Sequence, residues 1–223
     1  MEPLSEELPE ELKTLDRIRN DPWEFLKCVY TKDEIDPVNP IKKFPVHLEY
    51  LHYFVRIWEK EKLLVVPKSR RMKMSWVNVS LFVWEAMFHV GRRIAFVSKK
   101  EEGSIDLIKR AAFIAANLDK NMISKELIPK FIHSKGKLEF PEMESAIEGY
   151  PSGADQLRQY TFSGIMVDEH AFLPNAEEMY GASMPTTEGG GRFVSLSSAA
   201  PGFMRKLVYD KIDEDDQEEV SIA

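Results

Sequence analysis

The stretch VPKSRRMKMSW at residues 66–76 decides how the rest of the chain is read. An apolar, β-branched run, LLVVP at 63–67, leads into it, and a helix-forming run, SWVNVSLFVWEAMFHV at 75–90, leads out. Strand, eight-residue loop and helix is the layout of the Walker A pattern G-x-x-x-x-G-K-[ST], whose backbone amides cradle phosphates. With Ser75 in the hydroxyl position, Lys68 and Lys73 occupy the two glycine positions, and Met74 stands where the lysine belongs.

A loop of this kind needs converging amides, a helix N-terminus, a hydroxyl for a metal and a mobile positive charge. Ser75 supplies the hydroxyl and opens the helix. Lys68, on a flexible stem at the start of the loop, is the expected source of the charge. Lys73 competes for that role, one residue ahead of the usual lysine position. Arg70 and Arg71 add charge available to a terminal phosphate, and Ser69, Met72 and Trp76 complete the expected nucleotide-binding run 68–76. The missing glycines carry a cost, because other residues are strained wherever the loop demands a positive φ.

Two further strand ends point to the same chemistry. In GIMVDEHAFLP, 164–174, an apolar strand ends in Asp168 and Glu169. Asp168 suits a magnesium ion on nucleotide phosphates, and Glu169 suits a group that orients a water and accepts its proton. In SLSSAAPG, 195–202, a strand ends in the hydroxyls of Ser197 and Ser198, expected beside the catalytic strand and facing the γ-phosphate. Each of these alone reads equally well as a solvated turn. Together, in this order, they place a loop, two carboxylates and two hydroxyls at the carboxyl edge of one sheet, where open α/β sheets bind ligands.

Strands alternating with helices predict a largely parallel sheet covered on both faces. Strands are expected at 63–67, 92–98, 137–140, 145–150, 162–169 and from 192. Helices are expected at 47–62, at 75–90 with Gly91 as the C-cap, at 101–118, briefly at 175–183, and from 203. Ahead of these lie an acidic helix over 1–20 and a second helix opened by Asp21 and Pro22, with Trp23, Leu26 and Tyr30 at helical spacing. A proline-rich connector follows at 35–45. The expected division is a helical N-terminal segment over 1–60 that forms an adenine-side lid, an ATPase core over 61–210 and an acidic tail or linker over 211–223.

With 43% hydrophobic residues a sizeable core can form, and the single cysteine excludes a disulfide framework. The acidic first residues contain no signal-peptide apolar core, and no run of about 18 apolar residues exists to span a membrane. The net charge of −7 hides a polarity. Residues 1–36 carry 5 basic and 11 acidic side chains, 210–223 carry 1 and 7, and 56–110 carry 13 and 6. The basic charge surrounds the phosphate loop, which permits a polyanionic partner. Arg92, Arg93, Lys99 and Lys100 are expected phosphate-backbone contacts.

The chain resembles the ATPase domain of the large terminase subunits of tailed bacteriophages. Terminase loops of the form K-x-R-Q-x-G-x-S-W match KSRRMKMSW at 68–76, with Arg71 for the usual glutamine and Lys73 for the usual glycine. The stretches at 92–110 and 146–174 and the serine strand are similar to the family's corresponding segments, over about residues 44–210. The resemblance implies an additional-strand (ASCE-type) P-loop fold, with ATP and Mg²⁺ as substrate and cofactor. It implies Ser75 and Asp168 at the metal, Glu169 as the catalytic carboxylate and Ser197–Ser198 as a coupling motif. Arg70 matches a loop arginine acting in cis, and Arg158 an arginine acting in trans on a neighbouring subunit. His47 stands near the glutamine of the family's adenine motif, with Phe44 or Tyr50 as the stacking aromatic.

The implied function is hydrolysis-driven translocation of double-stranded DNA, in a homo-oligomeric ring in the cytoplasm of an infected bacterium. The portal of the procapsid and the small terminase subunit are the implied partners. No nuclease domain fits after residue 210, so no nuclease activity is expected from this chain. Two alternatives stand: another P-loop translocase of helicase-like type, and a degenerate scaffold that binds nucleotide or DNA without turnover.

Overall fold

A computed structural model describes residues 9–33, 35–153 and 157–214, with the backbone alone for 210–214. The elements run α1 (Glu10–Asn20), α2 (Pro22–Cys28), β1 (Tyr30–Lys32), β2 (Ile41–Lys43), α3 (Glu49–Lys60), β3 (Leu63–Pro67) and α4 (Met74–Phe88). They continue with β4 (Arg93–Ser98), α5 (Glu101–Ala116), β5 (Ile132–Ser134), β6 (Lys137–Phe140), β7 (Ser145–Pro151), β8 (Gly164–Asp168), α6 (Ala176–Glu188), β9 (Arg192–Ser197) and α7 (Phe203–Glu214).

The main sheet has seven strands in the order β3-β9-β8-β4-β7-β6-β5. The first five are mutually parallel, and β6 and β5 add an antiparallel edge. The serine strand β9 lies between the loop strand β3 and the acidic strand β8, as the additional-strand layout requires. Because β3, β9, β8 and β4 all run the same way, Pro67, Ser197, Asp168 and Ser98 end on one edge.

Strand alternation builds two cores. Ile94, Phe96, Met166, Val194 and Leu196 face one side, with Ile18, Phe25, Leu26, Trp58 and most of α4. Ala95, Val97, Ile165, Val167 and Phe193 face the other, with Leu173 and with Met179 of α6. Twelve of the fifteen α4 residues are buried, so this helix is apolar around its whole circumference and runs through the interior. Gly164 opens β8 because a Cβ there would stand 2.5 Å from the Phe82 ring of α4.

The N-terminal helices share the core of α4. The Trp84 indole donates to the Ile18 carbonyl at 2.9 Å. Asp21 caps α2 as expected, accepting from the Trp23 amide at 2.8 Å, but α2 ends at Cys28. Tyr30, expected on that helix, instead opens β1, which pairs antiparallel with β2 in a small separate sheet. The Cys28 thiol is buried and pushed up to about 12, chiefly by that burial. The expected acidic tail lies outside the described residues from 215 onward. Among the described residues no helix is long and apolar enough to cross a membrane.

Two histidines are held neutral inside this fold. Burial lowers the pKa of both His89, whose ring meets Trp84 at 4.7 Å, and His170, with Arg92 adding to the effect at His89. Their unfolded values lie near about 6.5, so on acidification the unfolded chain takes up protons first. Stability contributed by the neutral rings is therefore complete above that pH and lost as pH falls towards the folded values. The slope is at most about 1.4 kcal/mol per pH unit for each histidine. Urea unfolding of wild type and His89→Gln across about pH 7.5 to 5.5 should show the wild type losing more stability. A wild type that loses less would reverse the assigned sign.

Candidate active site

The loop 68–73 leaves β3 and enters α4 through two residues in the left-handed region, Arg71 at φ 68° and Lys73 at φ 57°. Neither is glycine, so each costs about 1–2 kcal/mol relative to right-handed backbone. Such turns aim successive amides at one point, as in anion-binding nests. Lys73 is the N-cap of α4 and makes no side-chain cap, and the helix has no acidic residue in its first turn. The first-turn amides are thus left for an anion.

Met74 is 5% exposed and packs into the core. A buried thioether carries no charge, so a cation for phosphates would come from another residue. Lys68 provides it. Its side chain is only 10% exposed, with Nζ 2.9 Å from Glu169 Oε1 and 3.8 Å from Asp168 Oδ1. Its amide donates to the Ser197 carbonyl at 2.8 Å, which fixes the base of the side chain against β9. The Ser75 hydroxyl lies 3.0 and 3.2 Å from the two Asp168 oxygens. Burial raises the Asp168 pKa, opposed by Lys68 and the Ser75 hydrogen bond.

Glu169 sits in the left-handed region at φ 55°, which turns its carboxylate back over the sheet edge. Its Oε2 accepts from the Ser198 amide at 3.4 Å. The Ser197 hydroxyl accepts from the Ala171 amide at 3.0 Å. Next to Glu169, His170 is fully buried, with Nδ1 at 2.7 Å from the Ser195 hydroxyl and Nε2 at 3.2 Å from the Ala176 carbonyl. The carboxylate turn is thereby tied both to β9 and to the start of α6.

Two cavities, each of about 460 Å³, flank this network. One is lined by Lys68, Ser69, Arg71, Met72, Lys73, Met74, Ser75 and Trp76, together with Lys32, Asp33, Ile35 and Arg110. The other holds Arg70, Glu169 and Ser198 with Ser98, Lys99, Lys100, Glu102 and Phe172. Arg70 thus faces the Glu169 side and not the loop's concave side.

The expected residues do not all converge. His47 is exposed in the turn before α3 and lines neither cavity. Phe44 is 3% exposed, too buried to stack on a base. Tyr50 reaches the loop, its hydroxyl donating to the Met72 carbonyl at 3.1 Å. Arg158 stands at the surface, 3.5 Å from Glu178. The four expected DNA contacts sit at opposite ends of β4. Arg92 and Arg93 lie at its start, beside Glu85 and Glu148 respectively, while Lys99 and Lys100 follow its end beside Glu169. A six-residue strand is about 20 Å long, so the two pairs are separated by about that distance.

Arg110 was not anticipated. It comes from α5, lies 5.6 Å from the Trp76 ring centre, and its charge acts on Asp168. An amphipathic helix far along the chain carries no local mark that one of its arginines returns to the loop.

The donors fit magnesium. Ser75 and Asp168 offer hard oxygens, and among the described residues no group of three or more His, Cys, Asp or Glu side chains forms a self-sufficient metal cage. A metal here would share its coordination with phosphates, as Mg²⁺ does.

No protein-family profile matches the sequence. The fold matches solved large terminases. The HK97 bacteriophage large terminase superposes with a TM-score of 0.64 at 10% identity, over 89% of this chain and 42% of that one. A point mutant of the Thermus phage P74-26 large terminase ATPase domain gives 0.51 at 13% identity, over 70% and 67%. The unmutated domain gives 0.49 at 15% identity, over 65% and 63%. The chain therefore spans less than half of the HK97 protein and just under two thirds of the unmutated domain. At these identities the likeness establishes the fold alone: a mostly parallel sheet flanked by helices, as in the ATPase domains of large terminases.

Proposed function

We propose that this chain is the ATP-hydrolysing motor domain of a viral DNA-packaging terminase, driving double-stranded DNA into a procapsid. The observation that carries the reading is the connected network Ser75–Asp168, Lys68–Glu169 and Glu169–Ser198 at one sheet edge. A solvated turn has no reason to bring a helix-opening hydroxyl, a shielded lysine, two carboxylates and a strand-end amide into mutual contact.

In this reading the α4 amides and Lys68 bind the phosphates, and Ser75 and Asp168 hold Mg²⁺. The ion neutralises phosphate charge when bound. Glu169 orients a water towards the γ-phosphorus and takes its proton, and the products are ADP and phosphate. Arg70, on the Glu169 side, stabilises charge developing on the transferred group in cis. Arg158, at the surface, acts in trans on a neighbouring subunit of a ring. Ser198 reads the state of Glu169 through its amide, and Ser197 links the turn after Glu169 to β9. A change at the carboxylate thus passes to β9 and α7. Lys99 and Lys100, with no ion-pair partner among the described residues, are the DNA-backbone contacts, in preference to Arg92 and Arg93, which are paired with Glu85 and Glu148. The duplex, the portal and the small terminase subunit are the partners, in the cytoplasm of an infected bacterium.

The test is phosphate release from MgATP by the chain at high concentration with duplex DNA, alone and with the portal and small subunit. Hydrolysis is expected. Nucleotide binding without phosphate release in every case would favour the scaffold alternative. Mixing Arg158→Ala with Glu169→Gln subunits separates the arginine roles. A trans arginine restores part of the activity at mixed interfaces, where an intact Glu169 meets an intact Arg158. No restoration would leave catalysis to Arg70.

A further inference from the structure

The loop cavity has two chemically distinct ends. At one end stand Ser75, Lys68 and Arg110, whose charges or hydrogen bonds act on Asp168. At the other stand Lys32, Asp33 and Ile35, contributed by β1 and the residues that follow it. Lys73 lies between, and its charge acts on Asp33. The phosphate chemistry belongs to the first end. A volume of about 460 Å³ leaves room beyond it, and small-ligand pockets of this size commonly enclose most of their ligand.

Asp33 is held in place. Its Oδ1 accepts from the Ile35 amide at 3.2 Å, its Oδ2 lies 3.4 Å from Lys42 Nζ, and its own amide donates to the Pro40 carbonyl at 2.6 Å. Lys42 also bridges to Asp36 at 2.8 Å, which braces the turn from behind. These contacts keep the carboxyl ionised, below the usual carboxylate range, and each oxygen retains an unused lone pair. A carboxylate facing a phosphate site repels phosphate, so it belongs against neutral donors. Ile35 is 71% exposed and lines the same end. An apolar side chain held in water at the rim of a polar cavity gains by covering a flat ring.

We propose that Asp33 and Ile35 form the nucleoside end of this cavity, Asp33 accepting from ribose hydroxyls and Ile35 covering the base, so that the site prefers ribonucleotides to 2′-deoxyribonucleotides. The proposal rests on the nucleotide reading given above. It moves base and sugar recognition away from the turn at His47 and onto Asp33 and Ile35.

The test is equilibrium binding of Mg-ATP, Mg-2′-deoxyATP and Mg-tripolyphosphate to the full chain and its variants. Wild type should favour ATP over 2′-deoxyATP by about tenfold, the size of a charge-assisted hydrogen bond. Asp33→Asn should bring that ratio close to one while tripolyphosphate binds as before. Ile35→Ala should weaken both nucleotides several-fold in parallel and leave tripolyphosphate unaffected. Equal affinities of wild type for ATP and 2′-deoxyATP would overturn the proposal. So would parallel losses for all three ligands in Asp33→Asn. Wild type that binds tripolyphosphate and ATP but does not discriminate sugars leaves the nucleotide reading intact. Wild type that binds none of the three overturns both.

Discussion

Glu169→Gln is expected to bind Mg-ATP at least as tightly as wild type and to hydrolyse it about 10²–10⁴-fold more slowly, the usual contribution of a positioned general base. The geometry separates these effects. Glutamine keeps the shape of the side chain and an oxygen for the Ser198 amide, so the coupling contact at 3.4 Å survives. It loses the negative charge and the ability to take a proton from water. It also releases Lys68 Nζ, now 2.9 Å from Oε1, to interact fully with phosphates. Removing a negative charge beside a triphosphate lowers repulsion, so affinity should hold or rise. Nucleotide titration and single-turnover phosphate release check the two halves. A variant that still turns over within about threefold of wild type, well short of a general-base loss, would remove Glu169 from the chemistry.

The parts of this site that were legible in the sequence are those carried by local pattern. A β-branched run before a basic loop, an apolar strand ending in Asp168-Glu169, and a strand ending in Ser197-Ser198 each show their type within about ten residues. Their order then implies a shared edge, because parallel strands bring their carboxyl ends together. The sheet order bears this out, with β9 between β3 and β8. Side-chain direction was not legible. Whether position 74 faces the phosphates or the core depends on how α4 is seated, and α4 is apolar on every side, so its pattern carries no phase. Lys73 was recognisable as a non-glycine at a glycine position, but only the backbone shows it in the left-handed region at φ 57°. Tyr30 fitted a helical spacing and lies in a strand because its partner there, Lys43, is thirteen residues away along the chain. Asp33 and Arg110 reach the loop through tertiary contacts alone. Charge counting located the basic region without resolving it, since Arg93 is paired with Glu148 at one end of β4 while Lys99 follows the other.

The two loop lysines divide sharply in what they should do. Lys68→Ala is expected to weaken Mg-ATP binding by about 10–100-fold, as for loss of charge-assisted hydrogen bonds, and to reduce turnover further. Lys68 is the one of the two whose ammonium group is in contact with Asp168 and Glu169, and it is 10% exposed. Its removal also leaves Asp168 and Glu169 facing each other without a cation, so the free protein should lose stability. Added Mg²⁺ should restore part of that loss by binding between them. Lys73→Gly should behave differently. Glycine takes φ 57° without a Cβ penalty, recovering about 1–2 kcal/mol in the folded loop. The greater freedom of glycine in the unfolded chain returns roughly 0.5–1 kcal/mol of that gain. Stability should therefore be unchanged or slightly higher, and nucleotide affinity should fall less than about fivefold, since the solvent-screened charge removed makes no ion pair with Asp168 or Glu169. Chemical unfolding with and without Mg²⁺, followed by nucleotide titration of both variants, makes the comparison. Affinity lost in Lys73→Gly and retained in Lys68→Ala would place the phosphate charge on Lys73, and the contact between Lys68 and Glu169 would then belong to the unliganded protein alone.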